Sequence, residues 1–202
     1  MNPHATLNIR ETAHLSGATI SQIEKSIESR IMNPVPSAET RQGATGHATA
    51  LPIAAVAYFA ALRDAEMVQF PVHHKRLAWT NLKRLPMPDL GPIEITPGLT
   101  LDPRRAGTPA LRQAIAYKDA CAAFIETRPD VLGGVPVLKG TRLSVYAIHG
   151  RLKDGDSIAD LCTDYPEFPA RAFEAADIFA RSHPRRGRPT DKPWRRSPRE
   201  DK

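Results

Sequence analysis

The chain has 202 residues, 41% of them hydrophobic and 6% aromatic, with a net charge of +6 at pH 7. That length holds one or two domains with an aliphatic core, and the positive balance points to phosphates or to an acidic protein partner. Its two cysteines, Cys121 and Cys162, have no CxxC and no ligand-spaced histidine, which excludes a zinc finger or a disulfide scaffold and leaves both expected as buried thiols.

At the N-terminus, MNPHATLNIRE lacks the basic region and apolar run of a secretory signal. Residues 9–31, IRETAHLSGATISQIEKSIESRI, carry apolar positions Ala13, Leu15, Ile20, Ile23 and Ile27 at helical spacing, broken at Ser16-Gly17. This predicts two short helices about a tight turn, with Thr19 or Ser21 capping the second and Ala13 and Gly17 letting the helices cross closely. Ser26 stands where a larger apolar residue is expected. Residues 33–50 are small and polar and read as a loop.

The run LPIAAVAYFAAL at 51–62 has 12 residues, short of the ~20 that a membrane span needs. It predicts an apolar helix over 51–66, followed by an amphipathic helix over 71–84 opened by Pro71, both with basic exposed faces. Six prolines interrupt 86–109, and IEITPGLTL alternates about Pro97-Gly98, the signature of a small β-hairpin or wing. A helix is expected over 111–125, then two short β-prone runs about Gly133-Gly134. Two helices about Asp154-Gly155 and a third after Pro169 complete a second helix-turn-helix.

The last 20 residues, HPRRGRPTDKPWRRSPREDK, hold six Arg and two Lys against two Asp and one Glu, a net of +5. Four prolines and almost nothing apolar except Trp194 predict a disordered basic arm, and the rest of the chain is nearly neutral. The fold class expected is mainly α with short β-hairpins: two winged-helix or helix-turn-helix-like domains and a disordered basic C-terminal tail. The boundaries are 1–88 for the N-terminal DNA-binding unit, 89–110 for a Pro-rich linker with its wing hairpin, 111–182 for the second unit and 183–202 for the tail.

GGVPVLKGTRLSVYAI followed by KDGDSIADLCTDYP resembles the small domain-of-unknown-function family (433) found in VapB-like antitoxins of type II toxin–antitoxin modules. The resemblance covers roughly 124–181. The first 85 residues resemble the longer members, which carry an N-terminal MerR-like helix-turn-helix. The resemblance implies a cytoplasmic homodimer that neutralises a PIN-like ribonuclease toxin with its C-terminal region and represses its own operon by binding operator DNA.

Within the second helix-turn-helix, SIADLCTDY is ringed by Asp154, Asp156, Asp160 and Asp164 and carries no Lys or Arg. Phosphate contact needs cations, so this helix is read as a packing or dimer element, leaving only Lys139 and Arg142 of the KGTR loop for phosphate. The N-terminal unit is the better reader. Thr19, Ser21, Gln22 and Lys25 fall outside its apolar face, and Gln suits adenine while Lys suits guanine or phosphate. Arg10, Lys25 and Arg30 are the phosphate candidates; Lys75-Arg76 and Lys83-Arg84 extend the footprint.

For the toxin, the family implies a metal cleft of carboxylates. Arg185, Arg186, Arg188, Arg195 and Arg196 supply guanidiniums that fork onto such groups, with Trp194 as an aromatic anchor. A nonspecific nucleic-acid arm is the competing reading of the tail. No catalytic constellation, metal site or cofactor motif is found, so the chain is read as a non-enzyme. The alternative to the antitoxin is a stand-alone helix-turn-helix regulator without a toxin.

Overall fold

A computed structural model describes residues 5–36 and 49–184. It is mainly α-helical with short antiparallel strand pairs. The chain opens with β1 (Thr6–Asn8), α1 (Ile9–Ser16) and α2 (Ile20–Glu28). Strands β2 (Val35–Pro36) and β3 (Thr49–Pro52) follow, and β3 pairs with both β1 and β2 to give the order β1-β3-β2. Helices α1 and α2 thus lie between the first two strands of this small sheet.

Local signals explain these boundaries. Asn8 and Glu11 form a reciprocal capping box at the start of α1, and Thr19 and Gln22 do the same for α2. Gly17 ends α1 at φ +68°, a left-handed conformation that glycine adopts without penalty. The space beside this glycine is taken up by a side chain from a later helix. A Cβ placed there would meet the Arg63 guanidinium, not a helix backbone. Ser26 is buried without being apolar because its hydroxyl donates to the Gln22 carbonyl one turn back.

Next come α3 (Ala54–Asp64) and α4 (Val72–Leu82), linked through a short 3-10 turn at Met67–Gln69. Every residue of α3 from Ala54 to Leu62 is buried, which corrects the expectation of a basic exposed face. Because α3 is apolar all round, the fold encloses it, and it offers no broad surface to a second copy. The hairpin β4 (Ile93–Thr96) and β5 (Leu99–Leu101) turns at Pro97-Gly98 as the sequence predicts. Its Ile93, Ile95 and Leu101 are buried in the same core as Leu82 and Trp79 of α4.

The longest helix is α5 (Gly107–Phe124), which begins four residues before the expected start. Pro109 is tolerated because the first turn has no intrahelical partner for that nitrogen. Helix α5 packs on α3 and on the last helix of the chain. Gly107 sits where a Cβ would come within 2.8 Å of the Ala57 carbonyl and 2.9 Å of Pro103 Cβ.

Strands β6 (Ile125–Glu126) and β7 (Val137–Leu138) pair about the Gly133-Gly134 turn, and α6 (Val145–Asp154), α7 (Ile158–Asp164) and α8 (Ala170–Ser182) follow. A second core gathers Leu138, Val145, Ile148, Leu161 and Phe173. Phe124, Ile125 and Phe179 pack against both cores, so the two join along α5 and α8. Cys121 and Cys162 form no disulfide, and both are half-buried where full burial is expected. Among the described residues no helix is long and apolar enough to cross a membrane.

Candidate nucleic-acid interface

Helix α2 has two faces. Ile23 is fully buried, Ser26 is buried beside it and Ile27 is half-buried, which fixes the inner stripe at i, i+3 and i+4. Ile20, expected in that stripe, is instead 38% exposed. It joins Ser21, Glu24, Lys25 and Glu28 on the outer face. Ser21 and Lys25 therefore lie where the sequence places them, pointing away from the core.

Thr19 and Gln22 are committed differently. The Thr19 hydroxyl accepts from the Gln22 backbone N–H at 3.2 Å, and the Gln22 side-chain oxygen accepts from the Thr19 backbone N–H at 2.9 Å. Each thereby satisfies a helix-start donor that α2 would otherwise leave open. The carbonyl end of Gln22 is thus occupied, and half-burial of its side chain narrows its reach. The outer face presents Ser21 and Lys25 as polar groups, Glu24 as an acceptor and Ile20 as an apolar group, the side-chain types that can meet base edges. Sequence periodicity missed Ile20 because a helix start belongs to neither face until its neighbours are known.

Two arginines from later helices frame α2. Arg63, at the end of α3, donates from Nη1 to the Gly17 carbonyl at 3.1 Å. Arg76, on α4, donates from Nη2 to the Ser29 carbonyl at 3.0 Å and from Nε to the Arg30 carbonyl at 3.3 Å. The helix between these anchors is about 14 Å long at 1.5 Å per residue, comparable with the ~12 Å width of a DNA major groove. Both arginines are exposed, as are Arg10, Lys25 and Arg30. Lys75 is only half-buried, and that burial pulls its ammonium below the usual lysine range. Arg30 sits at φ +52°, and nothing in the sequence of α2 signals the role of Arg63, forty-six residues from its carbonyl partner.

Lys139 and Arg142 lie apart from this set, on the loop after β7. Lys139 donates to the Ala122 carbonyl at 2.5 Å, while Gly140 N–H donates to Glu126 at 3.1 Å. Arg142 is exposed. The tail residues expected to meet a toxin, Arg185, Arg186, Arg188, Trp194, Arg195 and Arg196, lie outside the described residues.

In the acidic second pair of helices, one guanidinium bridges two of the four aspartates. Arg151 of α6 donates from Nε to Asp156 at 2.5 Å and from Nη2 to Asp164 at 2.6 Å, and these two hydrogen bonds hold its guanidinium even more firmly charged than usual. Asp160 closes a capping box with Ser157, whose hydroxyl and backbone N–H keep that carboxyl below the ordinary carboxylate range. Asp177 of α8 accepts from His149 Nδ1 at 2.7 Å and from Arg181 at 2.8 Å. Its Arg171, Glu174 and Arg181 border a cleft of about 520 Å³ that also touches α5 and the start of α7.

One curated relative and one family model match parts of the chain. A curated relative, the uncharacterized protein y4eO of Sinorhizobium fredii, is 35% identical over 83 residues, which is 40% of this chain. The chain spans 38% of that relative's length. No solved structure matches the chain. Residues 125–180, from β6 through most of α8, match the family described as a protein of unknown function, DUF433.

Proposed function

We propose that this protein is a DNA-binding antitoxin. In this reading the N-terminal helix-turn-helix reads operator DNA through Ile20, Ser21 and Lys25, the C-terminal region neutralises a PIN-like ribonuclease, and the cytoplasmic protein works as a homodimer. The observation that carries the DNA part is α2 with its outward Ser21 and Lys25, framed at either end by Arg63 and Arg76. Guanidiniums at both ends of a helix followed by a wing suit backbone phosphates flanking a groove. The MerR-like resemblance of the N-terminal unit supports the same reading.

The toxin part rests on the resemblance of 124–181 to antitoxin domains and on the charge of the tail, a net of +5 over the last 20 residues. A cleft of metal-binding carboxylates attracts such a segment, and guanidiniums can fork onto it.

The test is co-purification of the protein with the product of the neighbouring gene, using the full chain and a chain ending at Arg181. Capture and silencing of a ribonuclease by the full chain alone supports the antitoxin and makes the tail the inhibitory arm. Capture by both forms moves the contact to the folded C-terminal unit. Capture by neither, with promoter DNA still shifted, supports a stand-alone regulator.

A further inference from the structure

Where the start of α1 meets the end of α8, the contact includes an imidazole whose neighbours fix its hydrogen-bonding roles. At the end of α8, His183 Nδ1 lies 3.0 Å from the Phe179 carbonyl, which can only accept, so Nδ1 carries the proton. Its Nε2 lies 2.9 Å from Asn8 Nδ2. The Asn8 amide cannot turn round, because its Oδ1 accepts from the Glu11 backbone N–H at 2.8 Å as the cap of α1. Nδ2 therefore donates, and Nε2 must offer its lone pair. The His183 ring stacks on Phe179 at 4.1 Å, and its carbonyl accepts from the Tyr146 hydroxyl of α6 at 2.7 Å.

A second proton on His183 would set two donors against each other at Asn8. The His149–Asp177 contact between α6 and α8 behaves in the opposite way. A carboxylate accepts from Nδ1 in either state of the ring, and protonation turns that bond into an ion pair.

We propose that the α1–α8 contact carries a pH-sensitive latch at its end: a proton on His183 breaks the Asn8 hydrogen bond and loosens the start of α1, while His149–Asp177 keeps α8 on α6 and the apolar packing of α8 on α5 stays in place. This inference does not depend on what the helix-turn-helix binds. The ionisable groups facing the contact are Glu11 and His14 from α1, Tyr117 from α5, Tyr146 and His149 from α6, and Asp177 and Arg181 from α8. Glu11 is held by Asn8 N–H and Tyr117, and Asp177 is shared between His149 and Arg181. His14 adds in the same direction. Burial and Arg181 lower its affinity for a proton, against a smaller opposing pull from Asp177, so charging it also works against α1 resting on α8.

Hydrogen exchange of the full chain between about pH 7.5 and about pH 5.5, corrected for intrinsic rates, spans the range in which imidazoles titrate. One lost hydrogen bond corresponds to about a tenfold loss of protection. That loss is expected in α1 with little change in α6. In His183→Gln, whose amide oxygen accepts from Asn8 at any pH, most of the dependence should vanish. Equal loss in α1 and α6, or an undiminished loss in the variant, overturns the latch. Should that variant fail to fold, nitrogen NMR of the unaltered protein decides. The Asn8 side-chain amide must titrate together with His183 Nε2, and an Asn8 signal unmoved through the titration rejects the proposal.

Discussion

The Tyr117 hydroxyl of α5 donates to the Glu11 carboxylate of α1 at 2.7 Å, and both residues are only 4% exposed. Burial and the nearby Glu11 carboxylate raise the phenol far above its ordinary range, so it remains a donor throughout the working pH range. Tyr117→Phe leaves a buried carboxylate one donor short and should lower stability by about 1–3 kcal/mol. Urea unfolding with an unchanged slope would measure it; a midpoint equal to that of the unaltered chain would contradict the account.

Gly17 and Arg63 form a second link. A Cβ at Gly17 would lie 1.8 Å from Arg63 Nη1 at a left-handed φ of +68°. Gly17→Ala should therefore cost about 1–2 kcal/mol from the backbone alone and also displace the guanidinium from the end of α2. If Arg63 contacts phosphate, Arg63→Ala weakens binding to all DNA sequences alike and reduces the salt slope by about 1. Lys25→Ala separates the two kinds of contact: a base reader shows sequence-dependent loss, a phosphate partner does not.

Gly107 tests the packing of α5 on α3. The Ala57 carbonyl at 2.8 Å and Pro103 Cβ at 2.9 Å leave no room for a methyl group. Gly107→Ala gains helix propensity but overpacks this junction, and the expected balance is a loss of about 1–3 kcal/mol, read as a lowered thermal midpoint. A rise in the midpoint would show that α5 can shift outward without penalty.

Histidine 14 gives a pH dependence of defined sign. Its folded-state proton affinity lies below the reference value of 6.5, chiefly through burial and then Arg181. The unfolded chain binds more protons than the folded one in this window, so the stabilisation is complete above about pH 6.5 and falls as the pH drops below it. His14→Gln should flatten that part of the stability profile, measured by urea midpoints at a series of pH values. An unaltered profile would remove His14 from the acid response.

Local chemistry made several elements legible in advance. The Ser16-Gly17 break, a cap at Thr19 or Ser21, the Pro97-Gly98 turn and the Asp154-Gly155 break each act within a few residues, so the helices and hairpin around them follow from short stretches of chain, and the structure selects Thr19 as the cap. Ser21 and Lys25 of the candidate interface were likewise readable, because period 3.6 leaves them opposite Ile23. Ile20 was not, since one position at a helix start can fall on either side.

Composition and spacing by themselves determined a mainly helical chain with short hairpins and a basic end, because these rest on periodicity, caps and charge counts. Only the tertiary structure decided that Arg63 and Arg76 reach back to α2, that Glu11 is buried against Tyr117 and that Asn8 meets His183. Each of these contacts joins residues 46 or more positions apart. Their pairing follows from how α1, α3, α4, α5 and α8 pack, which no local pattern encodes.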